Sequence, residues 1–534
     1  MSQQDAPATP DVAALVAAAA ADHPDRLAVV EAGGRGLTWA ELDDEASRVA
    51  TGLGAAGILA GHRVMIVLGN RIEFVTTYLG VLRAQAVAVP VNPGSTVVEL
   101  AGMLVDSGSR MVVVDERTAV PVRSAVGRSE VAAAAHDESR PLPRLVALGE
   151  PAPDELAYDD LRAEEPRPVP PLLDPEKLAV LLYTSGTSGL PRAAMLTHRA
   201  LLANVDQVAT VEPPMIHSDD VVLGVLPLFH VYGLGAVLGG VIRHRAKLVL
   251  TDRFDPEGTL DLIEDEACSV VPVAPPVFAA WRHVDALAER LGPVRMILSG
   301  SAPLPAETVE EFSAAVRVPV HQGYGLTEAS PVVTSTLRSA TVKPGSVGAA
   351  LDGIELRLVD DEGVPVDGSA ADDPGEIQIR GRNLFSGYWP EGADGPGVDG
   401  WWSTGDVGFL DADGDLFLVD RVKELIIVSG FNVYPSEVEA VLGEVAEVRQ
   451  AAVLGTPDEH TGEAVVAYVV PDDPAADPES VAAAVRARAA EHLAPYKRPV
   501  RVEVVETLPR TVTGKIRKGQ LRGQERRKAL GILE

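Results

Sequence analysis

The chain has 534 residues, enough for two or more domains with large cores, and its 46% hydrophobic and 23% charged content is that of an ordinary globular protein. Lys and Arg number 46 against 77 Asp and Glu, and the formal net charge of −31 argues against general binding to nucleic acid or to an anionic membrane. The N-terminus lacks a basic n-region, and the apolar run at 12–21 is too short to span a bilayer, so a cytoplasmic, unprocessed protein with no integral membrane segment is expected.

Residues 1–10 read as a loose tail ahead of an Ala-rich helix that ends near Asp22-His23-Pro24. From Arg63 the pattern alternates: strand 64–68, helix 73–82, strand 86–89, helix 97–105, strand 111–114. Short β-rich runs separated by helical ones predict βαβ units and a mostly parallel sheet. Residues 119–175, rich in Pro, Ala, Asp and Glu with weak periodicity, are expected to be an irregular excursion. Strand–helix alternation resumes over 221–322. Beyond Pro344, short strands with Gly and Asp turns predict a β-rich subdomain, and a compact α+β segment follows Arg421. The expected division is therefore 1–422 and 423–534. Cys268, in the apolar run Ala267-Cys268-Ser269-Val270-Val271, is the single cysteine; it excludes an intrachain disulfide and a zinc cluster, and it is assigned no chemistry.

The most informative stretch is Tyr183-Thr184-Ser185-Gly186-Thr187-Ser188-Gly189-Leu190-Pro191-Arg192, directly after the apolar run at 178–182. Small hydroxyl residues and glycines leaving a buried strand let backbone N–H groups close around a polyphosphate. Four further segments follow. In Gln322-Gly323-Tyr324-Gly325-Leu326-Thr327-Glu328, glycines flank an aromatic and are expected to expose its ring face, Thr327 can donate to a phosphate, and Glu328 offers a hard oxygen to Mg²⁺. Trp402-Ser403-Thr404-Gly405-Asp406 carries a carboxylate able to accept two ribose hydroxyls. Asp420-Arg421-Val422-Lys423-Glu424 leads into Ser429-Gly430-Phe431-Asn432, and Thr513-Gly514-Lys515 puts a lysine just past a glycine. Each alone has a plain structural explanation: a turn cap, a salt bridge, a solvated charge.

Together, in this order, the five segments resemble the AMP-forming adenylating superfamily, which includes acyl-CoA synthetases, firefly-type luciferases and peptide-synthetase adenylation domains. The resemblance runs from the N-terminal helix to Lys515. It implies an α/β fold: a large N-terminal domain of layered α/β subdomains plus a β-barrel-like one, and a small mobile α+β C-terminal domain. It implies ATP and coenzyme A as co-substrates and Mg²⁺ as metal. The loop Thr184, Ser185, Gly186, Thr187, Ser188, Gly189 would hold the β- and γ-phosphates, with Thr184 and Glu328 placing the metal. Tyr324, beside Gln322, Gly323 and Gly325, would pack on adenine, Thr327 would touch the α-phosphate, and Asp406 and Arg421 would hold the ribose. Lys423 would be the hinge of the small domain, Lys515 would bridge carboxylate and α-phosphate, and Gly430 would close over pantetheine. The chain departs from the family's usual Pro-Lys-Gly at Pro191-Arg192-Ala193, where arginine keeps the charge and can still grip phosphate.

The segment Pro227-Leu228-Phe229-His230-Val231-Tyr232-Gly233-Leu234 resembles the acyl-pocket motif of fatty-acyl and aryl-acid ligases, with His230 facing the carboxylate. Val273, Ala274, Pro275, Gly300, Ala302 and Gly323 would line a small apolar pocket for a hydrophobic acid, first a medium- or long-chain fatty acid. An aryl-acid–CoA ligase and an acyl-AMP ligase feeding a carrier protein stay open, as does a homodimer. No carrier segment follows Lys515 here, so a peptide-synthetase module is less favoured. An NAD dehydrogenase finds apparent support in Gly52-Leu53-Gly54-Ala55-Ala56-Gly57, but this GxGxxG follows a helical run rather than a strand and reads as a helix C-terminus.

Overall fold

The computed structural model describes the chain except residues 1–10, 136–140, 185–190, 283, 303, 361, 367–373, 422–423, 425, 429–430, 459–460, 494, 512–513 and 530–534, and gives the backbone alone at 420–421, 427, 431–432, 462, 526–527 and 529. It divides into two compact units, one of Met1–Gly186, Leu190–Glu355 and Arg380–Trp401, the other of Thr187–Gly189, Leu356–Ile379 and Trp402–Glu534.

Two sheets build the first unit. A seven-stranded sheet runs in the order Leu156–Ala157, Arg144–Ala147, Met111–Val114, Arg63–Val67, Val87–Pro90, Leu178–Thr184, Arg192–Thr197. Its strands pair in parallel until Arg192–Thr197 closes the edge antiparallel to Leu178–Thr184. Met65, Val67, Val112, Val114 and Leu181 are fully buried in one cluster, as expected where helices cover both faces of a parallel sheet. The helix predicted at 97–105 spans Val97–Ser107; a capping box between Thr96 and Glu99 starts it, and Gly108 in the left-handed region (φ 56) ends it.

The second sheet has nine strands, six of them parallel: Leu27–Glu31, Lys247–Leu250, Val221–Gly224, Val270–Val273, Met296–Ser299 and Val320–Gly325. Antiparallel strands flank this block, Gly36–Thr38 at one side and Val332–Ser335 at the other. Cys268 lies in the core between these strands and their helices, and burial pushes its thiol up to about 12. It is an inert hydrophobe, as the sequence predicts.

The irregular excursion expected at 119–175 is a correction. Helices Ala119–Val126 and Ser129–Ala134 and strands Arg144–Ala147 and Leu156–Ala157 occupy it, with the strands extending the seven-stranded sheet. Each piece is eight residues or fewer, too short to show a period, and burial of Val122, Ala125, Val131 and Val146 specifies them instead. The GxGxxG segment is the end of helix Trp39–Ala55, where a Cβ on Gly52 would sit 1.5 Å from the Leu161 carbonyl oxygen. The segment is a helix C-terminus, as the sequence reading held; Gly52 serves the close packing, and Gly57 at φ 88 serves the turn that follows.

In the second unit, strands Gly375–Gly381, Trp402–Leu410 and Leu416–Arg421 run antiparallel within a five-stranded sheet. A second sheet pairs Phe431–Val433, Ile426–Val428, Gly462–Pro471 and Val448–Asp458 antiparallel, with Arg501–Val504 joined in parallel. Its two faces alternate as a strand period of two requires. Val453, Val465 and Val469 meet Val438 and Leu442 of helix Pro435–Gly443 and Val481 and Val485 of helix Pro478–His492. Ala452, Leu454, Val466 and Tyr468 instead meet Leu521 of helix Lys518–Ala529. Among the described residues, no helix is long and apolar enough to cross a membrane.

Candidate active site

The candidate phosphate-binding segment joins the paired strands of a β-hairpin. Thr184 pairs with Arg192 in the antiparallel register of Leu178–Thr184 and Arg192–Thr197, and the Thr184 hydroxyl lies 3.4 Å from the Arg192 carbonyl oxygen. Ser185, Gly186, Thr187, Ser188 and Gly189 fall outside the described residues. Tyr183 donates its hydroxyl to Asp106 Oδ2 at 2.7 Å, and burial, reinforced by the Asp106 charge, holds its phenol far above the ordinary range. Trp389 Nε1 donates to the Asp106 carbonyl at 3.0 Å, so one residue tethers the root of the hairpin and the 383–389 segment alike.

Gln322, Gly323, Tyr324 and Gly325 end the last parallel strand of the nine-stranded sheet, and a 3₁₀ turn, Thr327–Ala329, follows. The glycines do not bare the aromatic ring, as the sequence reading expected; Tyr324 is only 7% exposed. They admit the neighbouring strand. A Cβ on Gly323 would meet the Thr334 carbonyl oxygen at 2.8 Å, and one on Gly325 would meet that of Pro331 at 2.3 Å. Thr327 is half-buried, and Gln322 donates its N–H to Thr336 Oγ1 at 3.0 Å.

Glu328 is 8% exposed and belongs to a tight constellation. Tyr388 donates its hydroxyl to Glu328 Oε1 at 2.6 Å. The Arg192 guanidinium lies over the Tyr388 ring, 3.8 Å from its centroid, and donates to Asp394 Oδ2 at 2.7 Å. Burial first, and then the Glu328 charge, raises the Tyr388 phenol, which therefore stays protonated as a donor. Backbone bonds assemble the group: Phe385 N–H to the Glu328 carbonyl at 2.9 Å, Trp389 N–H to the Ala193 carbonyl at 2.9 Å, and Met195 N–H to the Gly387 carbonyl at 3.0 Å. Strand Arg192–Thr197 thus packs against the turn that carries Glu328. Sequence reading missed Tyr388, Asp394 and Asp106, because nothing in their spacing ties them to segments so far away.

The acyl-pocket candidates share one end of one sheet. Val273, Ala274 and Pro275 end or follow strand Val270–Val273, Gly300 and Ala302 follow Met296–Ser299, and the 227–234 segment follows Val221–Gly224. Carboxyl ends of parallel strands are where open α/β sheets bind ligands. His230 Nδ1 accepts the Tyr232 N–H at 3.3 Å, so a neutral imidazole carries its proton on Nε2. A π-helix, Tyr232–Gly239, begins there. The Tyr232 ring lies against Gly300, where a Cβ would stand 2.7 Å from its Cε1.

In the second unit, Asp406 is 8% exposed and directly opposite Arg421 in an antiparallel pair, which brings two motifs together. The Arg421 side chain, Lys423 and Gly430 lie outside what the structure describes. Lys515 is exposed, its N–H donates to Thr511 Oγ1 at 3.0 Å, and Thr511 N–H donates to the Lys515 carbonyl at 2.8 Å. Among the described residues no group of three or more His, Cys, Asp or Glu could hold a metal by itself. One buried, hydrogen-bonded carboxylate fits a magnesium ion that keeps most of its ligands on phosphates and water.

Residues 16–389 match the family described as AMP-binding enzyme, and residues 437–515 match the AMP-binding enzyme C-terminal domain. The chain is 35% identical over 519 residues to 4-coumarate–CoA ligase 5 of Oryza sativa subsp. japonica, covering 94% of this chain and 92% of the relative. It is 33% identical over 527 residues to a long-chain-fatty-acid–CoA ligase of Bacillus subtilis (strain 168), covering 95% and 93%. The crystal structure of ATP-bound MatB from Rhodopseudomonas palustris superposes with a TM-score of 0.84 at 31% identity, over 96% of this chain and 98% of that one. The chain belongs to the AMP-binding enzyme family, and it is an acid–thiol ligase of the AMP-forming type.

Proposed function

We propose that this enzyme activates a hydrophobic carboxylic acid with ATP to an acyl-adenylate and passes the acyl group to coenzyme A, with Mg²⁺ as metal, in the cytoplasm. The observation that carries the reading is the packing of the Glu328 turn against the strand that leaves the phosphate loop, joined through Tyr388. A carboxylate acylates poorly because its leaving group would be oxide. In the first half, a carboxylate oxygen bonds to the α-phosphorus and the bond to pyrophosphate breaks. In the second, a thiol attacks the acyl carbon and AMP leaves.

Two anions must meet in the first half. Lys515 offsets their repulsion at the α-phosphate, and the His230 Nε2 proton, fixed by the bond at Nδ1, orients the acid. Asp406 and Arg421 hold the ribose, while Thr327 meets the α-phosphate. Magnesium, when bound, would neutralise charge on the phosphates, and Glu328 with Thr184 would hold it. The chain's one thiol is buried and raised to about 12, so the acyl acceptor is external. Rotation at Lys423, the boundary between 1–422 and 423–534, exchanges Lys515 for the Gly430 segment between the two halves.

Small apolar pocket residues favour a hydrophobic acid over an amino acid. A fatty acid is the first reading. The Tyr232 ring against Gly300, together with the 4-coumarate-directed relative, favours an aryl acid as the second. Pyrophosphate release is to be measured across fatty and aryl acids, with and without coenzyme A. Acid-dependent release with thioester formed only when coenzyme A is present is expected. Adenylate that accumulates despite coenzyme A would point to a carrier-protein acceptor, and no release with any acid would remove the reading.

A further inference from the structure

Arg192 occupies the position where this family usually has lysine, and the obvious role for a cation beside a phosphate loop is to grip phosphate. Its surroundings say otherwise. Its guanidinium lies flat over the Tyr388 ring at 3.8 Å, and its Nη2 bonds Asp394 at 2.7 Å. The ion pair is worth little by itself, because the Arg192 and Asp394 side chains are 37% and 69% exposed. The stack is the more specific contact, since a planar guanidinium covers a ring face as an ammonium does not. On its far side the same ring ends in the hydroxyl that donates to Glu328 at 2.6 Å. The backbone of Tyr388 is pinned as well: it bridges Ala194 and Ala393 antiparallel, and Phe385, three residues earlier, bonds the Glu328 carbonyl. Phe385 and Tyr388 also meet edge-on, with ring centroids 5.0 Å apart.

We propose that Arg192 and Tyr388 are positioning residues for the Glu328 carboxylate: the guanidinium holds the phenol, and the phenol commits Glu328 Oε1 and one rotamer, leaving the other oxygen for a divalent cation carried by the nucleotide. This rests on the reading of Glu328 as the metal-holding carboxylate. It gives the arginine a reason that a phosphate contact does not. A lysine restores the charge but not the stack, so in this chain the family's usual residue is the worse one.

The test is calorimetric binding of ATP with and without Mg²⁺ to the wild type and to Tyr388→Phe, Arg192→Lys, their double variant and Glu328→Gln, with thermal unfolding recorded for each. Tyr388→Phe keeps the ring and the stack and deletes only the O–H. It is expected to weaken MgATP binding about tenfold, the loss typical of one hydrogen bond to a charged group, while changing metal-free ATP binding less than about twofold. Arg192→Lys is expected to shift the same quantity in the same direction, and the double variant to bind no more weakly than Tyr388→Phe. If Arg192→Lys weakens metal-free ATP as much as MgATP, or if the two losses add, Arg192 acts on phosphate directly and the proposal is overturned. If Glu328→Gln alone weakens MgATP binding, only the positioning role is lost. If Glu328→Gln leaves MgATP binding unchanged, the metal reading falls and this proposal with it.

Discussion

Lys515 is held by its backbone. Thr511 caps the turn from both ends, accepting the Lys515 N–H on its side chain and donating its own N–H to the Lys515 carbonyl, so an exposed four-carbon side chain projects from a fixed base. A cation needed in one half of a reaction and not in the other suits such a mount. Lys515→Ala is expected to lower adenylate formation by about 10²–10³, the cost of removing one preorganised group at a developing charge. Thioester formation from supplied acyl-adenylate and coenzyme A is expected to stay near wild type, since the lysine is proposed to act on the α-phosphate before that step. Measuring pyrophosphate release and thioester formation separately checks this, and equal loss in both would contradict the role. Asp406 stood out in the sequence by its motif alone; that it falls opposite Arg421 in the next strand is set by the pairing register, which the sequence does not display.

At the scale of elements, the strand Val320–Gly325 shows how glycines that stand out in a sequence can answer to packing. Its glycines stood out in the sequence, and stacking on a nucleotide base supplied a reason for them. The nearest constraint is the partner strand and the residue before it, whose carbonyl oxygens at Thr334 and Pro331 leave no room for a Cβ. Gly325→Ala therefore forces the Pro331 carbonyl away and is expected to cost about 1–3 kcal/mol, the usual price of overpacking a tight site. Because the turn bearing Glu328 begins two residues later, the same variant is expected to raise the magnesium concentration needed for half-maximal pyrophosphate release. Thermal unfolding and a magnesium titration check both, and an unchanged midpoint would show that the strand relaxes freely. Long alternating segments were legible because a buried parallel sheet writes continuous apolar runs into the chain, as at Met111–Val114. The 119–175 stretch was not, because its short pieces are specified by the sheet edge they extend. Tyr388 was illegible for a related reason: its partners Arg192 and Glu328 are joined to it by tertiary packing alone.

Across the whole molecule the charge is unevenly spent. From Tyr496 onward eleven Lys and Arg face four Glu, a basic end on a chain of net charge −31. Much of that excess is engaged internally. Lys497 bonds Glu437 at 2.6 Å, Lys528 bonds Glu503 at 2.6 Å, and Arg501 pairs with Glu525. Lys518 is the most enclosed, reaching Glu439 at 2.8 Å and Glu424 at 3.1 Å, with Arg522 3.9 Å from the same Glu424. Glu424 follows directly on Lys423, the proposed hinge. The residue after the proposed hinge is thus anchored to helix Lys518–Ala529, and the proposed rotation would have to be absorbed before Glu424. Proline at 423 fixes φ near −65° and removes an N–H, and it is expected to hold the chain in one of its two orientations. Lys423→Pro should then leave one half-reaction close to wild type and disable the other, whereas a general loss of fold lowers both. Adenylation and thioester formation measured separately, with thermal unfolding as the control, decide between these. A variant that performs both halves normally would place the rotation elsewhere, and the Glu424 clamp would then be only a tie between a loop and the last helix.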